Sequence, residues 1–120
     1  MTEDPAQRIR DAFSDAEREE LDRCRHRIND EKSIGVLELL VSWALHVRKI
    51  DEDRAKPVTD RHVWGAHDLL AAVSVRSFLA RCLERLAEPL NGKVAGQIAH
   101  HDEHFVSITR VDADELRGYA

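Results

Sequence analysis

The sequence predicts a mainly α fold: an antiparallel bundle of three to four helices with a small C-terminal β element near residues 94–111 and a short terminal helix. Apolar residues recur at helical spacing over most of the chain, and capping and proline residues divide that pattern into segments. Residues that prefer strands are concentrated in the C-terminal part. The length of 120 residues suits one helical domain, 1–120, with a single core.

The N-terminal segment contains two helix-start signals. Asp4 followed by Pro5 is typical of a first helical turn, because aspartate caps free amides and proline needs no hydrogen bond there. Ser14 with Glu17 three residues later matches a capping box. Either one helix runs through with a change of phase, or a short helix gives way to a second at Ser14. The segment that follows has a narrow apolar stripe that ends at Ile28 and is expected to form an outer helix, with a turn at Asn29–Ser33.

The central helix is predicted from Ser33, as its cap, to Ile50, and its apolar arc covers roughly three quarters of its circumference. Such a helix has to be covered on several sides, either by the rest of the chain or by a second copy of it. The remaining arc is a polar line along the helix, formed by Glu38, Ser42, His46 and Lys49.

A long helix is predicted to follow the central one. Residues 51–57 are charged and end in a proline, which indicates a short exposed connection and therefore an antiparallel helix pair. The long helix is expected to run from a cap at residue 59 or 60 to Glu88. Arg76 interrupts its apolar arc, with an alanine four residues away on each side, which leaves room for a close helix neighbour.

Beyond residue 90 the composition changes. Residues 94–99 fit either a short helix or a strand, whereas 105–111 are rich in β-branched residues and are predicted to form a strand. If both segments are strands, residues 100–104 form the loop of a hairpin, which needs helices or a partner's strand to be stable. Asp112 with Glu115 three residues later predicts the start of the short final helix.

Composition argues against several classes of protein. The 23 acidic and 18 basic residues give a net charge of −5, which argues against binding of nucleic acid through a basic surface. The most apolar segment is too short and too interrupted by charges for a membrane span, and no signal-peptide pattern is present. Cys24 and Cys82 lack a CxxC spacing, so we expect small core residues in a reducing cytoplasm. Abundant arginine and alanine indicate a GC-rich bacterial source.

The polar line and Arg76 form the first candidate site, with three interpretations. In the first interpretation, the polar line faces solvent and the Arg76 guanidinium extends over its own apolar stem to the surface. Alternatively, Arg76 reaches Glu38 across a helix interface, and the pair fixes the register between helices or subunits. In the third interpretation, Arg76 and His46 hold an anionic ligand. The residues of a ligand site or buried polar seam are therefore Glu38, Ser42, His46 and Arg76.

The second candidate site is the histidine cluster His100, His101 and His104. On a helix, His100 and His104 would share one face, and a third ligand from elsewhere could complete a zinc site. Because the residues that follow fit a strand, we expect a polar surface loop instead, with a pH-responsive histidine patch as the alternative. No cofactor is predicted, and no metal site is favoured.

The predicted function is that of a noncatalytic cytoplasmic interaction or regulatory protein: an adaptor, an immunity-type inhibitor or a subunit of a larger bacterial system. The apolar surface of the central helix would bind a protein partner or a second copy, as a homodimer. No nucleophile–base pair, phosphate-binding glycine loop or paired carboxylates support an enzyme. The alternative is a small-ligand or metal-binding domain, with or without catalysis, that uses His46, Arg76 and Glu38 or the cluster His100–His104.

Overall fold

The computed structural model describes the backbone of residues 4–54 and 66–117, and the side chains of residues 4–52 and 71–108. This part of the chain is mainly helical, with one small antiparallel sheet of two strands. The elements are α1 (Pro5–Asp11), α2 (Asp15–Arg23), β1 (Arg25–Arg27), β2 (Ser33–Gly35), α3 (Val36–Arg54), α4 (Ala66–Leu83) and α5 (Leu90–Arg117). The predicted helix cap at residue 59 or 60 lies outside the described residues. Of the helices described, none has both the length and the apolar content that a membrane span requires.

Both N-terminal helix-start signals are confirmed. The Asp4 carboxylate accepts a hydrogen bond from the Ala6 amide at 3.1 Å, and Pro5 occupies the first turn of α1. At α2, Ser14 Oγ accepts from the Glu17 amide at 3.2 Å, and Glu17 Oε1 accepts from the Ser14 amide at 2.8 Å. The capping box therefore starts a second helix, and the segment is two helices and not one.

The predicted outer helix is wrong beyond α2, because the chain forms a hairpin after Arg23; the turn predicted from Asn29 is the turn of this hairpin. β1 and β2 pair antiparallel, with His26 opposite Ile34. The turn is held by Asn29, whose side-chain oxygen accepts from the amides of Glu31 and Lys32 at 2.8 and 2.9 Å. Asparagine stabilises turns in this way and competes with helix formation.

The hairpin also changes the start of the central helix. Ser33 belongs to β2 and does not cap a helix, and α3 begins at Val36. The hairpin is fixed against α4, where the His26 ring stacks on Phe78 with ring centroids 4.0 Å apart. At its other end α3 extends to Arg54, so the first residues of the predicted connection are helical.

Helix α3 is the centre of the molecule, and α1, α2, α4 and α5 all pack on it. The cover that its wide apolar arc requires is thus supplied within one chain. Most of its apolar residues are almost completely buried: Val36, Leu39, Leu40, Val41, Trp43, Ala44, Val47 and Ile50. At roughly 1.5–3 kcal/mol for each large side chain, this burial is the main stabilising contribution of the helix.

The predicted C-terminal β element near 94–111 is wrong, because α5 runs without interruption from Leu90 to Arg117. The predicted short terminal helix is simply the last part of α5. Val94 and Ile98 are buried one turn apart, and Phe105 and Ile108 pack on the same core at helical spacing. This apolar face outweighs the weak strand preference of the β-branched residues, since such preferences are worth less than burial.

Candidate functional site

A cavity of about 490 Å³ lies between α1, α3 and α5. Its walls combine three histidines of α5 and two arginines, one from α1 and one from α3, with a smaller apolar part. We call it the cationic cavity; it is lined by Pro5, Arg8, Ile9, Ala44, Arg48, Gly96, Gln97, His100, His101 and His104. Its volume is within the usual range for small-molecule sites.

The three histidines reach the cavity because residues 100–104 are helical. His100 and His104 are four residues apart and share a face of α5, as a helix requires. The rings of His100 and His101 meet edge to face, with centroids 5.1 Å apart. His104 Nε2 lies 3.2 Å from a carboxylate oxygen of Asp51 on α3. The polar surface loop predicted for this segment is wrong.

The pKa of His101 is shifted strongly by its surroundings in the cavity. The pKa of His101 is lowered from 6.5 to about 4, and burial of the ring is the largest cause of this decrease. The positive charges of His100, His104 and Arg8 add to this decrease, because a second or third cation is unfavourable in the same small volume. The carboxylate of Asp102 acts in the opposite direction. An imidazole with these surroundings is neutral at pH 7 and gains a proton only as the pH falls toward 4.

The two arginines face the histidines across the cavity. Arg8 comes from α1, and Arg48 comes from α3, where its Nε donates to Glu52 Oε1 at 3.0 Å. A guanidinium presents several donors in one plane, so the remaining N–H groups of Arg48 are available in addition to this pair. Arginine and histidine side chains that converge from three elements are the chemistry that recognises carboxylates, phosphates and sulfates.

Arg76, the outlier predicted in the apolar arc of the long helix, does not pair with Glu38. Its Nε and Nη2 donate to Oδ1 and Oδ2 of Asp102, both at 2.8 Å, in a bidentate ion pair between α4 and α5. The indole Nε1 of Trp43 on α3 also donates to Asp102 Oδ1, at 3.1 Å. We call these three residues the Asp102 network. A polar seam between helices therefore exists, but with a different acid.

The other members of the predicted site lie elsewhere. Glu38, Ser42 and His46 line a shallow groove of about 380 Å³ on the outer side of α3, together with Arg10 of α1 and Lys49. Its wall also contains the apolar residues Val41 and Leu45. We call it the polar-line groove. Glu38 is exposed, whereas Ser42 and His46 are partly buried. The structure thus separates Arg76 from the residues with which the sequence had grouped it.

Metal binding is not supported by the arrangement of the described side chains. Among them, no three histidine, cysteine or carboxylate groups are arranged so that they could hold one ion. His100 and His104 do share a helical face, but the structure directs His104 to Asp51 and His101 to the ring of His100.

Sequence reasoning missed two residues of this site. Arg8 and Arg48 were not candidates, because nothing in the sequence indicates that α1 packs beside the C-terminal helix. The helical apolar spacing of Val94, Ile98 and Phe105 was the available signal, since it places His101 and Asp102 on a helix next to the core.

Comparisons with known proteins assign no family to this chain: no protein-family model, no curated protein and no solved structure matches it.

Proposed function

We propose that this chain is a noncatalytic binding domain that holds a small anionic ligand in the cationic cavity. The observation that carries the proposal is the convergence of two arginines and three histidines on one cavity in a chain whose net charge is −5. An acidic protein that gathers cationic groups at one concave place has the electrostatic pattern of an anion site. This is the ligand-binding function that the sequence offered as its alternative, with a different set of residues around the histidine cluster.

The absence of a hydroxyl or thiol side chain in the cavity favours binding over catalysis. None of the described residues that line it is a serine, threonine or cysteine. Arginine can neutralise and orient an anion and a neutral histidine can donate a hydrogen bond to it, which is sufficient for binding. Both cysteines are free thiols, which supports the reducing, cytoplasmic location predicted from the sequence.

Thermal unfolding in the presence of oxyanions tests the proposal. A ligand present at ten times its Kd stabilises the folded state by ~1.4 kcal/mol, so the Tm should rise by several degrees with sodium phosphate or sulfate relative to sodium chloride of equal ionic strength. The Arg48→Ala variant should lose most of this rise. The matched control is Arg81→Ala, which removes an exposed arginine of α4 that does not line the cavity. If both variants respond as the unmodified chain does, the cavity is not the site.

A second function, self-association, is favoured by the polar-line groove. Leu45 is 42% exposed there, and the groove carries an acid at one end, Glu38, and a base at the other, Lys49. The two are about 16 Å apart along α3. In a two-fold dimer each acidic end would meet the basic end of the other copy, which is the self-complementary arrangement that such symmetry requires. We propose this groove as the interface of the predicted homodimer and interaction protein.

Sedimentation velocity at micromolar concentration tests this second proposal. The expected result is a dimer that dissociates in the Leu45→Arg variant, because a charge is placed in the apolar centre of the interface. Ile28→Arg is the matched control, since Ile28 is 54% exposed at the hairpin, outside the groove. A chain that sediments as a monomer at all concentrations would overturn the interface.

A further inference from the structure

We propose that Cys24 and Cys82 form a reversible modification site, at which a small-molecule disulfide converts the two thiols into one intramolecular disulfide. The two cysteines are 58 residues apart in the sequence, one directly after α2 and the other on α4. Both are free thiols in the structure. The thiol pair is separate from the anion site, because neither cysteine lines the cationic cavity.

The fold brings the two cysteine side chains together. Cys24 Sγ donates a hydrogen bond to the main-chain oxygen of Cys82 at 3.7 Å, and the two thiols also interact through a side-chain hydrogen bond. The packing of the hairpin on α4 holds this contact, since the His26 ring stacks on Phe78 with centroids 4.0 Å apart. Because the two sulfurs already interact, a bond between them can form without separation of the hairpin from α4.

Exposure determines which thiol reacts first. Cys24 is partly exposed, whereas Cys82 is completely buried, so an external disulfide reaches Cys24 directly. The Cys24 thiol loses its proton to solvent and attacks one sulfur of the reagent, whose S–S bond breaks as a mixed disulfide forms and one thiolate leaves. Burial, and after it the neighbouring Cys82 thiol, raises the pKa of Cys24, which makes this first step the slow one.

Arg85 is placed to assist the second step. Its Nη2 donates to Cys82 Sγ at 3.2 Å and to the main-chain oxygen of Arg25 on β1 at 2.6 Å. A cationic donor in contact with a sulfur stabilises the negative charge that this sulfur must carry in order to attack. Cys82 then attacks the Cys24 sulfur, and the second thiolate of the reagent leaves. In total, two protein thiols and one external disulfide give one protein disulfide and two external thiols.

The new bond would fix the hairpin on α4. The loop that it closes contains β1, β2, α3 and most of α4, and closing this loop lowers the conformational entropy of the unfolded chain. The disulfide should therefore stabilise the folded state, and the folded state should reciprocally favour the disulfide. In a reducing compartment such a bond is transient, so it forms when the balance between thiols and disulfides shifts toward oxidation.

The test is the reaction of the reduced full-length chain with oxidised glutathione at about pH 8, where more of the Cys24 thiol is ionised than at neutral pH. Mass spectrometry of the acid-quenched chain should show a monomer that has lost two hydrogen atoms. Its Tm should be at least about 5 °C higher, and dithiothreitol should restore the original mass and Tm. The equilibrium constant for disulfide formation should be at least roughly tenfold greater than for the chain unfolded in urea.

Variants separate the two steps. Cys82→Ala should stop at the mixed disulfide of Cys24, whereas Cys24→Ser should stay unmodified because its remaining thiol is buried. Arg85→Gln should slow the conversion of the mixed disulfide roughly tenfold, and Arg85→Lys should restore most of the rate. The matched control is Arg81→Gln, which removes an exposed arginine of α4 and should leave the rate unchanged. Equal rates in Arg85→Gln and Arg81→Gln would remove Arg85 from the mechanism.

Several results on the unmodified chain would overturn the modification site. These are a mixed disulfide that persists, disulfide-linked dimers as the main product, and an internal disulfide that forms no more readily than in urea or that lowers the Tm. Each would mean that the fold holds the two sulfurs in positions unsuited to a bond. The same conclusion follows if the folded chain does not react while the chain in urea does. Since these readings need no variant, poor folding of a variant does not affect them.

Discussion

Two neighbouring residues of α5, His101 and Asp102, have opposite surroundings. Asp102 faces α3 and α4, where three hydrogen bonds from Arg76 and Trp43 satisfy both of its oxygens. His101 faces the cationic cavity between α1 and α3, where burial and positive neighbours disfavour its charged form. One step of about 100° around the helix therefore separates a closed polar network from an open site. The two neighbours thus differ in where their polar atoms lie: those of Asp102 are hydrogen-bonded between helices, whereas the ring of His101 lines a cavity.

The largest loss of stability is expected when Asp102, the acceptor of the Asp102 network, is removed. Asp102→Ala leaves three N–H donors without their acceptor at a site that is about one third exposed, so the free energy of unfolding should fall by about 2 kcal/mol. Urea unfolding measures the change. Glu103→Ala, at the exposed neighbouring position on the same helix, should change it by less than about 0.5 kcal/mol. Equal effects of the two variants would mean that the network contributes nothing specific.

A smaller loss of stability is expected when the indole N–H of Trp43 is removed. Trp43→Phe keeps an aromatic ring in the core but removes the donor to Asp102 and some buried volume, which should cost about 1–2 kcal/mol. The double variant with Asp102→Ala separates the two causes. If the hydrogen bond matters, the two single losses will sum to more than the loss in the double variant. Strict additivity would show that Trp43 acts through its volume alone.

On the cavity side of α5, the contribution of His101 to stability depends on pH. The pKa of His101 is about 4 in the folded chain against 6.5 as its ordinary value, so the unfolded chain binds more protons between these values. Its contribution to stability is therefore complete above pH 6.5 and is lost as the pH falls toward 4. Solvent screening at this half-buried position limits the loss to about 1–2 kcal/mol.

Urea titrations at several pH values, in buffers without oxyanions, measure this loss. The His101→Gln variant should lose less stability than the unmodified chain between pH 6.5 and 4, because glutamine cannot take up the proton. Parallel pH curves for the two proteins would show that the imidazole is not held neutral by the fold.

The smallest effect belongs to an ion pair at the surface of α5. Lys93 Nζ donates to both carboxylate oxygens of Glu17 on α2, at 2.8 and 3.0 Å, and lies over the ring of Phe13. Its side chain is 44% exposed, so Lys93→Met should cost at most about 0.5 kcal/mol, and less at high salt. Loss of as much stability as in Asp102→Ala would remove the distinction between the network and an ordinary surface pair.

Local signals in the sequence predicted local structure well. The cap at Asp4 and the capping box of Ser14 and Glu17 are present as expected, because these contacts join residues two or three positions apart. The failures came where local preference and long-range contacts disagree. Cys24 to Lys32 contains helix-favouring charges, but the Asn29 turn and the contact of His26 with Phe78 bring the segment into a hairpin. Conversely, packing made a helix of the β-branched segment after Phe105.

The candidate site was predictable only in part, for the same reason. The histidine cluster and the anomalous Arg76 were both visible in the sequence, but their partners were not. Arg76 is 26 residues from Asp102 along the chain, and Arg8 is more than 90 residues from the histidines that it faces. Such pairings depend on which helices are neighbours, and one sequence contains no direct record of that.

By itself, the sequence determined that α3 would be the centre of a small helical domain, because a helix that is apolar over most of its circumference must be buried. It also marked Arg76 as anomalous, since an arginine in an apolar arc needs a partner or a path to water, but it left open which of the two applies. The tertiary structure alone decided the rest. By making residues 90–117 one helix across α3, it turned Asp102 toward Arg76 and His101 toward the arginines of α1 and α3. A single helical register placed both residues, and that register is fixed by burial of Val94 and Ile98 rather than by any local preference.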